Sequence, residues 1–295
     1  FLRTLIIVMD NKTFVSFVSP SVIIMLVLMV FPLVTAIVLG FNYITFQNFA
    51  DPVFVGLQNY KELLADSAFW GSLKFTLIYI VCTVPVQIAI GFLVALLLDQ
   101  VERFRGVYIA ASLLPFVVTP VVGTLMFRSL FDRGGGLFYY LLDVLFNYEF
   151  LMTTTSVRIL IILQGIWYTT PFSMITLFAG LQTLPKSAME AATVDGANAF
   201  HKLWYVVLPH LRSLFVFIGM IAVMDAYRVF DNILVMTKDN PAFNADTIMY
   251  YNFKMAISFG RQGKANAMSI LTIFGIFIVL IPFLRTTYKQ QMEKR

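Results

Sequence analysis

One cysteine, Cys82, and two histidines, His201 and His210, are all that this 295-residue sequence offers of thiol and imidazole side chains. A single thiol excludes a disulfide framework and a thiolate metal site, and Cys82 stands inside an apolar run, where it reads as a small packing residue. The histidines have no ligand companions in the sequence around them, so no metal site is expected. Charge is scarce as well: Asp, Glu, Lys and Arg make up 13% of the chain, against about 25% in soluble domains. The net charge of +5 is spread over short segments between apolar runs, with no basic stripe to meet a nucleic acid.

Apolar residues take the vacant share. Hydrophobic residues account for 59% of the chain and aromatic ones for 16%, thirty of them Phe, and the mean hydropathy is +0.83. Soluble domains hold roughly 45–50% apolar residues, and here the surplus recurs along the whole chain, so it has to face lipid. Spanning about 30 Å of hydrocarbon as a helix takes roughly 20 apolar residues. Six segments reach that length, near 15–41, 72–98, 107–131, 157–181, 211–237 and 264–287. None alternates as a barrel strand would, and the remaining way to satisfy a backbone in lipid is a helix. The sequence therefore predicts an all-α membrane protein, one transmembrane domain of six helices over 1–295.

An even number of spans puts both termini on one side. With the termini inside, Arg3, Lys12, Arg103, Arg105, Lys186, Lys202, Arg212, Arg285, Lys289, Lys294 and Arg295 are internal, 11 basic residues against 9 outside. The positive-inside rule leans towards cytoplasmic termini. After the third span, Asp132-Arg133-Gly134-Gly135-Gly136 predicts a loop, and Leu137–Leu142 a short amphipathic helix in the membrane interface.

The segment 182–213 is too polar to span and too patterned for a linker. It reads Glu190-Ala191-Ala192-Thr193-Val194-Asp195-Gly196-Ala197, then Val206-Val207-Leu208-Pro209. Pro185 suits a first helical turn, the alanines leave little bulk, and Gly196 supplies an elbow where φ is positive or a side chain would obstruct. A second short helix is expected from about Asn198 to Val207, ended by Pro209. Two helices of that size have too little core to stand alone and should dock on a partner.

EAA, then DGA, then LP at this spacing, between the fourth and fifth spans, resembles the signature loop of permeases in bacterial binding-protein-dependent ABC importers. Phe54-Val55-Gly56-Leu57-Gln58-Asn59-Tyr60, Leu113-Leu114-Pro115, Trp167 with Pro171-Phe172, Phe230-Asp231-Asn232-Ile233, and Phe259-Gly260 with Ala265-Asn266-Ala267-Met268-Ser269 resemble its carbohydrate branch, the maltose type. Two positions depart: Ser213 stands where a proline is common, and Thr237-Lys238-Asp239-Asn240-Pro241 stands where Thr-x-Gly-Gly-Pro is common.

The resemblance implies a type I importer permease in the bacterial inner membrane with cytoplasmic termini, and a coupling loop at 182–213. Glu190, Ala191, Ala192, Asp195, Gly196, Ala197, Leu208 and Pro209 would engage an ATPase, with Glu190 as the anchor. Partners implied are a second, related permease, two ATP-binding cassette subunits, a solute-binding protein and a sugar or oligosaccharide. ATP and magnesium would sit on the ATPase, since Gly260-Arg261-Gln262-Gly263-Lys264-Ala265 lacks the spacing of a phosphate loop. No cofactor and no enzymatic activity are expected of this chain. Sugar contacts carried over by position fall on Phe116, Pro120, Gly165, Tyr168, Thr169, Phe172, Asp225, Ala226 and Val229.

Arg228 joins that set on its own account. Asp225, Arg228 and Asp231, spaced by three in the fifth span, are costly against lipid and should face the interior. They either line the solute path or hold helices together. Arg228 raises an acidic sugar, such as a uronate oligomer of the alginate kind. Other classes are a permease for a solute such as glycerol phosphate, an ion-coupled secondary transporter, and a membrane enzyme. No internal repeat supports the second, and no His lies near the two aspartates for the third.

Overall fold

The computed structural model describes residues 11–293; Arg3, Lys294 and Arg295 of the charge comparison lie outside the described residues. Two compact units are present. One holds the chain up to Asp66 together with Asn252–Ile273, and the other holds Ser67–Tyr251 together with the chain from Phe274 on.

The first unit contains α1 (Asn11–Gly40), a two-residue antiparallel pair, β1 (Asn42–Tyr43) with β2 (Val53–Phe54), α2 (Gln58–Ala65), and the start of the last helix. Buried Asn59 donates to the carbonyls of Gly40 and Asn42, both at 2.9 Å, satisfying the chain where α1 ends. Arg261 and Lys264, from the stretch that superficially resembles a phosphate loop, each approach Glu62 at 3.8 Å.

The second unit is built on α3 (Ser67–Gln100), α4 (Arg105–Val117), α5 (Pro120–Leu130), α6 (Leu137–Phe146), α7 (Thr154–Gln182), α8 (Lys186–Val194), α9 (Ala199–Lys202), α10 (Leu208–Tyr227) and α11 (Asp231–Thr237). α12 (Ile248–Phe253) and α13 (Gln262–Glu293) follow. Helices α3 and α7 share the most extensive packing. Two glycines make that approach possible: with no hydrophobic driving force between helices in lipid, membrane helices associate where small residues let backbones close. A Cβ on Gly91 would stand 2.8 Å from Cβ of Ser173 and 2.9 Å from the nitrogen of Met174, and one on Gly165 would collide with the Tyr79 hydroxyl. Below them Ala95, Leu98, Met174, Leu177, Leu181 and Leu211 form a buried cluster.

Tyr79 with Gly165, Gly91 with Ser173 and Asp99 with Gln182 (2.6 Å) pair in the same order along both helices, so α3 and α7 run parallel. The chain between them must return from one end of the bundle to the other. The third span does so in two pieces, correcting the single helix expected at 107–131: α4 and α5 meet at 93°. Val118 and Thr119 are extended (ψ 136° and 147°), and Pro120 opens α5. The residue before a proline is driven from the helical region. Because α3 and α7 are parallel, the bent pair is a crossing and not a re-entrant loop. Counted as one, it brings the helices long and apolar enough to span to six among the described residues.

Two further expectations change. Pro209 does not end a helix. A π-helical turn, Leu203–Val207, runs directly into α10 with Pro209 in its first turn, so Ala199–Tyr227 is one continuous apolar helix. The wider turn leaves a carbonyl unclaimed, and there a proline does no harm. The fifth span does not reach 237 unbroken: it stops at Tyr227 and resumes at Asp231. No glycine or proline marks that break. A side chain from elsewhere holds it, the Thr247 hydroxyl donating to the Val229 carbonyl at 2.8 Å.

Candidate functional site

The break in the fifth span opens onto a cavity of about 590 Å³ lying wholly within the second unit. Phe116 at the end of α4 and Pro120 at the start of α5 form one wall, so the bend of the third span faces it. Gly165, Tyr168, Thr169 and Phe172 follow along one face of α7. Asp225, Ala226, Arg228 and Val229 come from the end of α10 and the break itself. All ten residues picked out in the sequence for a solute path thus border one space.

The aromatic side is layered. The Phe116 ring lies 6.1 Å from Tyr168 and 6.5 Å from Phe172, stacked on the latter. Such faces suit the apolar side of a ring-shaped solute. The charged side is closed on itself: Arg228 donates to Asp225 at 2.8 Å, with both side chains more than half exposed to the cavity and its mouth. Asp231 also borders the cavity, so the lining carries one guanidinium against two carboxylates, a formal charge of −1. Arg228 and Asp231 are not successive turns of one helix, as their spacing suggested; Arg228 caps α10 and Asp231 opens α11.

α11 is fixed at both ends. Asn232, buried, hydrogen-bonds to Gln164 of α7, and Arg128 of α5 donates to the carbonyls of Val235 (3.3 Å) and Met236 (2.5 Å). A cation on the last carbonyls of a helix satisfies groups that have no partner within it. Sequence reasoning left out part of this site. Tyr79, Thr83 and Gln87 of α3 also line the cavity, as do Ile221, Ala222, Phe230 and Asn232. The available signal was polar residues at intervals of four within an otherwise apolar span.

The elbow follows the C-terminal end of α7, about three turns beyond the cavity residues at its middle. α8 ends with Asp195 in the C-cap position and Gly196 at φ +77°. Ala197 N–H returns to the Ala192 carbonyl at 2.9 Å, the wide closing bond of a glycine-terminated helix. A Cβ on Gly196 would meet nothing within 4 Å, so the glycine is there for its backbone conformation and not for space. Asn198 then caps α9, accepting from His201 N–H at 2.9 Å. Lys202 reaches back to the Thr193 hydroxyl at 2.9 Å and ties the two arms. Glu190, Ala191 and Asp195 are exposed, Ala192, Ala197 and Leu208 are half-buried, and Pro209 is exposed. The loop residues picked out in the sequence and the cavity residues do not meet; α7 and α10 connect them.

No family model matches the sequence. A probable ABC transporter permease protein, y4oQ of Sinorhizobium fredii, is 30% identical over 277 residues, covering 92% of this chain and 89% of that protein. The trehalose/maltose transport system permease protein MalF of Thermococcus litoralis is 30% identical over 273 residues, covering 88% and 92%. In fold, the chain matches a chain in the crystal structure of a bacterial ABC transporter involved in the import of the acidic polysaccharide alginate. There the TM-score is 0.81 at 18% identity, over 95% of this chain and 96% of that one.

Proposed function

Since the chain belongs to the ABC transporter permeases, and is a multi-pass membrane protein with a transport role, we propose that it forms part of the path for a neutral, hydroxyl-rich solute of about disaccharide size. The relative from Thermococcus litoralis is named for trehalose and maltose. The observation that carries the reading is the cavity itself: stacked aromatic faces opposite hydrogen-bonding groups, in about 590 Å³, within the roughly 300–1,000 Å³ common for small-molecule sites. An acidic oligosaccharide is disfavoured, because Arg228 is already matched by Asp225 and a second carboxylate stands beside it. A carboxylate of the solute would meet the like charges of Asp225 and Asp231 there.

In this reading the elbow at 186–202 docks on a cytoplasmic ATPase, with Glu190 accepting a charge-assisted hydrogen bond from a basic residue there. ATP and magnesium are held by that partner. Closure of the ATPase pair moves α8 and, through the unbroken helix that starts at Ala199, tilts α10 and the cavity wall it carries. A second, related permease and a solute-binding protein complete the assembly, in a bacterial inner membrane with both termini cytoplasmic.

Uptake by the complete complex in proteoliposomes tests the substrate class. Wild type should take up neutral disaccharides and refuse a uronate trisaccharide. Arg228→Ala should leave stability changed by less than about 1 kcal/mol, as for exposed ion pairs, and make exclusion of the acid stricter. Uptake of the uronate by wild type, lost in Arg228→Ala, would overturn the neutral reading in favour of the acidic one.

A further inference from the structure

α3 presents three polar side chains to the cavity at intervals of four, Tyr79, Thr83 and Gln87, each only 3% exposed. Residues four apart share a helix face. They are not equivalent. The Thr83 hydroxyl is spent within its own helix, donating to the Tyr79 carbonyl at 2.7 Å. The Tyr79 ring is wedged against Gly165 and fills the space that glycine leaves. Gln87 is different: its amide has two polar ends, and Thr169 of α7 engages one of them.

The hydrogen inventory makes this firm. Thr169 has a single hydroxyl hydrogen, and the Gly165 carbonyl, 2.7 Å away, also accepts from it. If the hydrogen goes to Gly165, Gln87 turns its NH₂ to Thr169 and leaves its carbonyl oxygen to the cavity. If it goes to Gln87, the NH₂ is what remains. In both arrangements one end of a buried amide faces the cavity, and among the described residues no hydrogen bond reaches it. A buried polar group left unmet is costly, so the empty cavity must offer it water and the filled one a group of the solute.

We infer that Gln87 is a specificity-determining contact of the solute site: anchored at one end by Thr169, its amide receives a hydroxyl of the transported molecule at the other. The inference rests on the reading that the cavity takes a hydroxyl-rich solute, and adds α3 as a fourth wall of recognition beside the third, fourth and fifth spans. The alternative role is a tie between α3 and α7, and the two roles part in their kinetics.

Uptake of trehalose, maltose and their monodeoxy derivatives is measured with the full complex, binding protein included. Gln87→Met keeps the volume and removes the hydrogen bonds. It should raise KM for the parent sugar about tenfold, the loss of one good hydrogen bond, with kcat and melting temperature unchanged. For the derivative lacking the contacted hydroxyl, Gln87→Met and wild type should have equal KM. Gln87→Glu, which keeps the acceptor, should recover part of the parent-sugar KM. A fall in kcat and in melting temperature shared equally by every solute would overturn the inference and leave Gln87 a structural tie. Failure of wild type to transport any of these sugars would overturn the saccharide reading, and this inference with it.

Discussion

Gly196 turns the chain at φ +77° with open space where a side chain would go. Substitution there is a question of backbone strain, about 1–2 kcal/mol for an ordinary L-residue in the left-handed region and less for Asn. Gly196→Asn should retain most transport, whereas Gly196→Val should lose ATPase association by about fivefold or more, with membrane insertion intact. Co-purification of the ATPase measures this, and an undiminished Val variant would refute the elbow as a lever. The loop after α11 shows the reverse case. Lys238 and Asp239 take φ of 51° and 55° without being glycine. Asp239 is compensated by the Tyr250 hydroxyl, which donates to it at 2.6 Å; burial, and then this bond, push the pKa of Tyr250 above its ordinary value. Lys238 has no such return, so Lys238→Gly should stabilise the protein by about 1 kcal/mol, read as a higher melting temperature in detergent.

At the scale of elements, the α3–α7 pair decides the geometry of the cavity, since Tyr79, Thr83 and Gln87 reach it from one helix and Gly165 to Phe172 from the other. Their separation is set one turn below Gln87, where Gly91 meets the backbone of Ser173 and Met174. Neither neighbour is a flexible side-chain end that can step aside. Gly91→Val should therefore cost about 1–3 kcal/mol, the range for overpacking, and lower the melting temperature of the complex. A Val variant as stable as wild type would mean that the two helices are not in register as described. The π-helical turn at Leu203–Val207 acts on the same scale. By inserting one residue it rotates α9 by about 100° relative to α10, so the elbow's orientation is a property of that turn.

At the scale of the whole molecule, parallel α3 and α7 require an odd number of crossings between them. The elbow then lies at the same end as the link from Asp99 to Gly106. Cys82 is the only cysteine, so Cys82→Ser provides a thiol-free background in one step. A cysteine placed at Thr193, which is exposed, should react with a membrane-impermeant maleimide in everted vesicles and not in intact cells. Labelling from the outside would reverse the orientation and remove the coupling function from this loop.

Composition, run length and local backbone chemistry were enough to read the class of solvent, the approximate extent of the apolar spans and the elbow from the residues alone. Gly196 needed no tertiary partner to be read as a turn, and Phe116 and Tyr168 could be carried over by position. The bend between α4 and α5 was half legible, from Pro120 alone. The break at Arg228–Phe230 was not, since Tyr-Arg-Val-Phe contains no breaker and Thr247, eighteen residues from Val229, supplies the missing donor. Gln87 was equally hidden. In a run of apolar residues its amide says only that something polar is nearby, and it took the approach of α7, permitted by two glycines, to bring Thr169 to one end of it and leave the other to the cavity.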